Sequence, residues 1–193
     1  EHEILADRIV AGTYISAALM LNSALEINNF NTIYLKSLID ILKKMGAKLK
    51  VSKNSIKVSK GSKLKSTSLS TSPYPGFPTD LQAQLMSLMC ISDGKSKIKE
   101  TIFENRFMHV PELNRLGANI TVEKDTATII GNQTFKGAQV MASDLRASIS
   151  LVLAAMNANG QTTLNRVYHL DRGYENIEKT LGSLGAKIKR QKN

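Results

Sequence analysis

Tryptophan is absent from this chain of 193 residues, cysteine occurs once, and aromatic residues make up only 5% of the sequence. A lone cysteine, Cys90, cannot form an internal disulfide, so a reducing compartment such as the cytoplasm is expected. No apolar run approaches the roughly 20 residues that a membrane span needs. The residues after Glu1 do not show the basic-then-apolar order of a signal peptide. These features favour a cytoplasmic globular protein.

Basic residues are in excess, with 26 Lys and Arg against 16 Asp and Glu and a formal net charge of +10. One interpretation is an anionic partner: nucleic acid, an acidic membrane surface or a phosphorylated small molecule. The other is a solvated, lysine-rich surface. Lysines in residues 43–65 and 187–192 alternate with Ser, Val and Ile, as on the outer face of strands, which favours the second. Because few aromatic residues are present on which bases could stack, nucleic acid is not expected as a partner.

No pattern typical of a metal or cofactor site is present. His2, His109 and His169 do not have the spacing of metal ligands, and no His or Cys cluster suggests zinc. No glycine-rich loop of the phosphate-binding kind occurs. Cys90 lies on the apolar face of a predicted helix, a position typical of core packing. We therefore expect neither a metal nor a cofactor.

A three-residue phrase recurs along the chain at intervals of about 70 residues, too long for a solenoid and suited to a supersecondary block. Its copies are Met45-Gly46-Ala47, Leu116-Gly117-Ala118 and Leu184-Gly185-Ala186. An aspartate precedes an apolar run in each copy, at Asp7, Asp80 and Asp144. We therefore predict three repeats, at approximately 1–65, 66–135 and 136–193.

Each repeat is predicted to contain two helices, a strand between them and a closing hairpin. The aspartate is a natural N-cap of the first helix, and the repeated glycine suits the end of the second. The intervening strands are predicted at Ala24–Phe30, Lys97–Phe103 and Thr162–Tyr168. Hairpins are predicted for Lys48–Val51 with Ser55–Val58 and for Asn119–Val122 with Thr126–Ile130.

The third repeat departs from this plan. It has one predicted strand, Lys187–Arg190, and no second strand to form the hairpin. An unpaired edge of this kind would be exposed. Either this sheet is one strand short, or a segment from elsewhere in a longer protein completes it.

Two long stretches resemble a known family. Phe103–Leu113 reads FENRFMHVPEL and Phe77–Gln84 reads FPTDLQAQ, and both resemble motifs of the UDP-N-acetylglucosamine 1-carboxyvinyltransferase family of enolpyruvyl transferases. Residues 137–147 and 169–175 continue the resemblance, which covers the chain from Ala6 to Arg190.

The resemblance implies an α/β fold, the inside-out α/β barrel of the EPSP synthase-like superfamily, in which each of two domains consists of three βαβαββ repeats. A strand from the extreme N-terminus of the family's longer chain would complete the third repeat. The implied reaction is attack of the 3′-hydroxyl of UDP-N-acetylglucosamine on phosphoenolpyruvate, with loss of phosphate and without a metal, as the first committed step of peptidoglycan precursor synthesis.

The family's active-site lysine and loop cysteine belong to segments that this chain does not contain. We therefore expect the chain to be one domain of the enzyme and to be inactive without the second domain.

The resemblance also assigns site residues. Asp80 is expected to contact and deprotonate the sugar hydroxyl, whereas the residues alone favour a helix cap. Arg106 and Arg172 are expected to face phosphoenolpyruvate or phosphate, the alternative being salt bridges to neighbours such as Glu104 or Asp171.

Four further residues complete the expected site. The resemblance places Asp144 and Arg146 at the cleft, although Arg146 could also be a solvated surface residue. Ile102 and Phe103 are expected to offer backbone and ring to the UDP-sugar, although both could be ordinary strand or core residues.

Two other functions stay open. The shikimate-pathway enolpyruvyl transferase has the same fold and chemistry with a different acceptor, and the motif that begins at Phe103 argues against it. A non-catalytic, basic repeat domain that binds nucleic acid is the alternative of a different class.

Overall fold

A computed structural model describes residues 4–191 as three successive α/β units. The first contains α1 (Arg8–Met20), β1 (Leu25–Asn28), α2 (Lys36–Lys44), β2 (Leu49–Val51) and β3 (Ser55–Val58). The second contains β4 (Ser68–Ser70), α3 (Gln82–Ile91), β5 (Lys95–Lys99), α4 (Val110–Arg115), β6 (Asn119–Glu123) and β7 (Thr126–Ile130). The third contains β8 (Gln139–Met141), α5 (Leu145–Asn157), β9 (Thr163–Asn165) and α6 (Ile177–Ser183).

Each unit contributes one sheet. In the second unit the strand order is β4-β5-β7-β6, with β4 parallel to β5 and the other pairs antiparallel. This is a complete βαβαββ unit. The first unit forms an antiparallel sheet in the order β1-β3-β2, and the third pairs β8 with β9 in parallel. The predicted α/β architecture and both predicted hairpins are confirmed.

Three helices, one from each unit, pack on one another in the interior: α1, α3 and α5. Every residue of α3 from Gln82 to Cys90 is buried, as expected for a helix surrounded by protein on all sides. Polar side chains on these helices bond to backbone carbonyls. The Ser87 hydroxyl, for example, reaches the carbonyls of Ala83 in its own helix and Ser150 in α5. The buried hydroxyls therefore have partners, which removes much of the cost of burying them.

Two predicted strands end earlier than expected because the backbone leaves the extended conformation. The strand predicted at Ala24–Phe30 ends at Asn28, and Asn29 has a left-handed φ of 62°. The strand predicted at Thr162–Tyr168 ends at Asn165, and Arg166 has a φ of 59°. The first strands of the second and third units, β4 and β8, have only three residues each and were not predicted.

The predicted strand Lys97–Phe103 is also wrong in its second half, since β5 ends at Lys99. The backbone N–H groups of Ile102 and Phe103 donate to the carboxylate of Glu100 instead of to a neighbouring strand. Residues 101–109 thus form a loop between β5 and α4.

The predicted strand Lys187–Arg190 is wrong. Residues 187–191 contain no strand, and no described strand pairs with them in a ladder of hydrogen bonds. Arg190 instead pairs with Asp171 at 2.6 Å and with Glu178 at 3.3 Å.

Between Ile4 and Gln191, none of the helices is long and apolar enough to span a membrane.

Candidate functional site

Three charged side chains from separate parts of the chain meet at one point, which we call the Asp80 clamp: Asp80, Arg106 and Arg146. Asp80 lies in the 3-10 turn Thr79–Leu81 before α3. Its Oδ1 accepts a hydrogen bond from Nη2 of Arg106 at 3.0 Å and another from Nε of Arg146 at 3.0 Å. Arg106 comes from the loop before α4, and Arg146 from the first turn of α5. The structure therefore brings together three of the predicted site residues.

The clamp excludes the capping interpretation of Asp80. Asp7 and Asp144 do cap their helices, each accepting backbone N–H bonds on its side chain. Neither the 3-10 turn at Asp80 nor α3 has a side-chain cap, and the Asp80 carboxylate bonds to the two arginines. The three aspartates are equivalent in the repeat but differ in the groups that their side chains contact.

The clamp is open to solvent on the carboxylate side. The side chain of Asp80 is 42% exposed, whereas those of Arg106 and Arg146 are 23% and 20% exposed. Both arginines bond to Oδ1, and no group within residues 4–191 forms a hydrogen bond with Oδ2. Two guanidinium groups beside one carboxylate leave local positive charge. The arrangement can thus accept a hydroxyl at Oδ2 and hold an anion beside it.

Asp144 supports the clamp through the backbone. Its Oδ1 accepts the N–H groups of Arg146 at 2.8 Å and Ala147 at 3.0 Å, and Ser143 donates to Oδ2. Burial alone would raise the pKa of Asp144. The N–H of Ala147, the Ser143 hydroxyl, the N–H of Arg146 and the charge of Arg106 together lower this pKa below its usual value. Asp144 stays charged and fixes the turn from which Arg146 projects.

Phe103 is exposed beside the clamp, and the guanidinium of Arg106 lies 5.4 Å from the centre of its ring, within cation–π range. The ring is therefore available to a ligand. Ile102 is half-buried, and the N–H groups of both residues are already bonded to Glu100. Of the backbone groups at these two positions, the carbonyls are the ones left for a ligand.

Arg172 does not join the clamp. It is an exposed residue at the end of the 3-10 helix Val167–Arg172, and among residues 4–191 its side chain has no ion pair or hydrogen bond. The suggested salt bridge with Asp171 is wrong, because Asp171 pairs with Arg190. The next residue, Gly173, packs so closely on Leu145 that an added Cβ would lie 2.8 Å from a Leu145 methyl. Arg172 is therefore adjacent to the turn that holds Arg146, and its role stays a prediction.

Two buried residues at the site were not predicted. Glu100 is 4% exposed and accepts four hydrogen bonds. His109 is 2% exposed. The pKa of His109 is lowered to about 4, mainly by burial; the charge of Asp144 raises this pKa, the charge of Arg106 lowers it, and a hydrogen bond with the backbone of Arg106 raises it. The only sequence signal for either residue was its place within or beside the FENRFMHVPEL stretch.

Cys90 is fully buried, and burial raises the pKa of its thiol to about 12. The prediction of core packing is confirmed. Of the three histidines, His2 lies outside the described residues. Within residues 4–191, no three or more His, Cys, Asp or Glu side chains are grouped as a metal site would require.

The chain is similar in sequence and in fold to enolpyruvyl transferases. The sequence model of the family described as EPSP synthase (3-phosphoshikimate 1-carboxyvinyltransferase) matches residues 1–181. The UDP-N-acetylglucosamine 1-carboxyvinyltransferase of Pelagibacter ubique is 53% identical over 190 residues, which are 98% of this chain and 46% of that protein.

Two solved structures have a similar fold. The enolpyruvyl transferase NikO from Streptomyces tendae has a TM-score of 0.90 at 30% identity, covering 96% of this chain and 44% of that one. EPSP synthase from Acinetobacter baumannii has a TM-score of 0.79 at 16% identity, covering 98% and 48%, and shows the fold alone. The chain thus spans about half the length of the relatives it matches. It belongs to the EPSP synthase (3-phosphoshikimate 1-carboxyvinyltransferase) family.

Proposed function

We propose that this chain is one domain of a transferase that moves the enolpyruvyl group of phosphoenolpyruvate to the 3′-hydroxyl of UDP-N-acetylglucosamine, releasing phosphate. The observation that carries the proposal is the Asp80 clamp, in which one partly exposed carboxylate is held between two arginines. The relative from Pelagibacter ubique, named for this reaction, supports the choice of acceptor.

Asp80 is suited to take the proton of the sugar hydroxyl. Arg106 and Arg146 hold Oδ1, so the carboxylate has a fixed direction and Oδ2 can receive the hydroxyl. As the proton of the hydroxyl moves to Asp80, the hydroxyl oxygen forms a bond to the central carbon of phosphoenolpyruvate, and the π pair of the double bond takes a proton at the terminal carbon from a group that the second domain would supply. A proton then leaves the resulting methyl group to restore the double bond, while the bond from the central carbon to the phosphate oxygen breaks and phosphate leaves. A general base at this position supplies a factor of about 10²–10⁴ in rate.

The arginines bind the anionic substrate in this proposal. Arg106 lies in the clamp, and Arg172 directly precedes Gly173, which packs on Leu145 in the turn that carries Arg146. Guanidinium groups bind carboxylate and phosphate through two parallel hydrogen bonds. We assign Arg106 and Arg172 to phosphoenolpyruvate, and Ile102 and the exposed Phe103 ring to the UDP-sugar.

The proposed unit is a single domain, residues 1–193, with repeats at approximately 1–65, 66–135 and 136–193. The second domain of the same enzyme is its proposed partner, since the relatives are about twice as long. That domain would contribute the lysine and loop cysteine implied by the family resemblance. The proposed reaction implies that the complete protein is a cytoplasmic enzyme of cell-wall biogenesis.

The acceptor distinguishes this proposal from its nearest alternative, the shikimate-pathway reaction. The complete protein is incubated with phosphoenolpyruvate and either UDP-N-acetylglucosamine or shikimate 3-phosphate, and the released phosphate is measured. We expect release with the UDP-sugar and only background with shikimate 3-phosphate. The reverse preference would replace the proposed function by the shikimate-pathway one.

A nucleic-acid-binding function predicts a different result when the same protein is tested with DNA. Retention of random duplex DNA at low salt, lost at high salt, together with no phosphate release from either acceptor, would support that function and exclude the proposed one.

A further inference from the structure

Glu100 is a buried carboxylate on which four donors converge. It follows β5 directly and is 4% exposed. Its Oε1 accepts the hydroxyl of Thr71 at 2.7 Å and the N–H groups of Ile102 at 2.9 Å and Phe103 at 3.3 Å. Its Oε2 accepts the hydroxyl of Thr79 at 2.9 Å. Both oxygens are therefore used by groups from three segments of the chain.

Glu100 forms no ion pair within the part of the chain that the structure describes. Among residues 4–191, the salt bridges involve other acidic residues, and no lysine or arginine pairs with Glu100. Burying a carboxylate without a counter-charge is costly even when it is hydrogen-bonded. Packing alone does not require a carboxylate here, which indicates that the group serves to fix a particular arrangement of the chain.

Three of the four bonds connect two of the three segments that carry the Asp80 clamp. Thr79 immediately precedes Asp80 in the 3-10 turn. Ile102 and Phe103 begin the loop that leads to Arg106. Glu100 thus holds the turn of Asp80 against the loop of Arg106, and the 3.0 Å bond between Asp80 and Arg106 depends on both segments being in place.

We propose that Glu100 is a positioning residue that sets the geometry of the Asp80 clamp and the direction of Phe103. It touches no substrate itself. The inference rests on the proposed function, because it is the transfer reaction that requires the clamp to be held in one geometry.

The first test compares Glu100→Gln with Glu112→Gln in the complete protein. The amide has nearly the shape of the carboxylate, but its nitrogen cannot accept the bonds that an oxygen accepted. Glu112 is a matched control, because its side chain accepts the N–H of Met141 but does not bond to the clamp. We expect Glu100→Gln to lower kcat at least tenfold and Glu112→Gln to leave it within twofold of the wild type.

A double variant separates positioning from simple loss of stability. If Glu100 acts through Asp80, adding Glu100→Gln to Asp80→Asn should lower kcat less than threefold further, because the residue that Glu100 positions has already lost its function. A purely structural effect would lower kcat by the same factor in both backgrounds, and that result would overturn the inference.

A second pair of variants decides the question if Glu100→Gln does not fold. Thr79→Val removes the hydroxyl that binds Oε2, and Thr79→Ser keeps it. We expect kcat to fall at least threefold in Thr79→Val and to recover in Thr79→Ser. Equal kcat values in the two variants would overturn the inference.

Failure of the inference and failure of the proposed function have different signatures. A wild-type protein that releases no phosphate with UDP-N-acetylglucosamine contradicts the proposed function whatever Glu100 does. An active wild type, with Glu100→Gln as active as Glu112→Gln, contradicts only the role of Glu100.

Discussion

His109 makes the stability of the protein depend on pH in a defined window. Burial lowers its pKa to about 4, whereas a histidine in the unfolded chain titrates near 6.5. As the pH falls below about 6.5, the unfolded state binds a proton that the folded state does not, so stability is lost until the pH reaches about 4. Between pH 7.5 and pH 5, this loss is about 2 kcal/mol in the free energy of unfolding.

Urea unfolding at both pH values tests this expectation. His109→Gln cannot titrate, so its free energy of unfolding should change by about 2 kcal/mol less than that of the wild type between pH 7.5 and pH 5. Folding lowers the pKa of Asp144, so its contribution to the free energy of unfolding is lost only below its usual pKa of 3.8. That value lies outside this pH range. The same pH dependence in His109→Gln and wild type would contradict the account.

At the level of single residues, the sequence predicted the residues of the clamp but not Glu100, which supports it. The family motifs identified Asp80, Arg106, Asp144 and Arg146, and the structure brings them together. The predicted strand Lys97–Phe103 contains Glu100 but gives its side chain no special role. Its importance lies in a bond to Thr79, a contact between residues that are distant in sequence.

At the level of elements, the repeated glycines differ in what surrounds them. Gly46, Gly117 and Gly185 all have positive φ values, of 96°, 100° and 99°, which confirms their prediction as helix ends. A Cβ at Gly46 would lie 2.8 Å from the carbonyl oxygen of Lys63, and one at Gly117 would lie 3.2 Å from that of Thr134. A Cβ at Gly185 would meet no atom of the described residues within 4 Å apart from its chain neighbours.

Alanine at these three positions should therefore destabilise the protein to different extents. The left-handed conformation alone costs about 1–2 kcal/mol for a residue with a Cβ. Gly185→Ala should lower the free energy of unfolding by only this amount. Gly46→Ala should lower it more, because a backbone carbonyl must move. Gly117→Ala should lie between them. Chemical denaturation of the three variants measures the order, and a loss in Gly185→Ala equal to that in Gly46→Ala would contradict the packing described.

The hairpins were predictable because alternating residues and a short turn are local signals. The strands β4 and β8 were not, because each has three residues and depends on parallel pairing with a strand after the next helix. The last predicted strand, Lys187–Arg190, had the right alternation. Alternation is not sufficient when no described strand pairs with the segment.

At the level of the whole molecule, the internal repeat predicted three α/β units but not how their loops converge. The clamp joins the second and third units, since Asp80 and Arg106 come from one and Arg146 from the other. Such contacts between units follow from the packing of α1, α3 and α5, which the spacing of residues along the chain does not specify.

We also expect this chain to be inactive by itself. The purified 193-residue chain, incubated with UDP-N-acetylglucosamine and phosphoenolpyruvate, should release no phosphate above background. The reason is that the proposed second domain would supply the lysine and the loop cysteine. The complete protein, assayed in parallel, should be active, and equal activity of the two would contradict the two-domain proposal.

The most direct test of the central claim is the turnover of Asp80→Asn in the complete protein. The amide keeps the shape and can still accept hydrogen bonds from Arg106 and Arg146, but it cannot take the proton of the sugar hydroxyl. We expect kcat to fall by about 10²–10⁴-fold, while the dissociation constant of UDP-N-acetylglucosamine changes by less than about tenfold. Asp125→Asn, the same change at an exposed turn, should have wild-type kinetics. A kcat for Asp80→Asn within tenfold of the wild-type value would contradict the claim that Asp80 is the base.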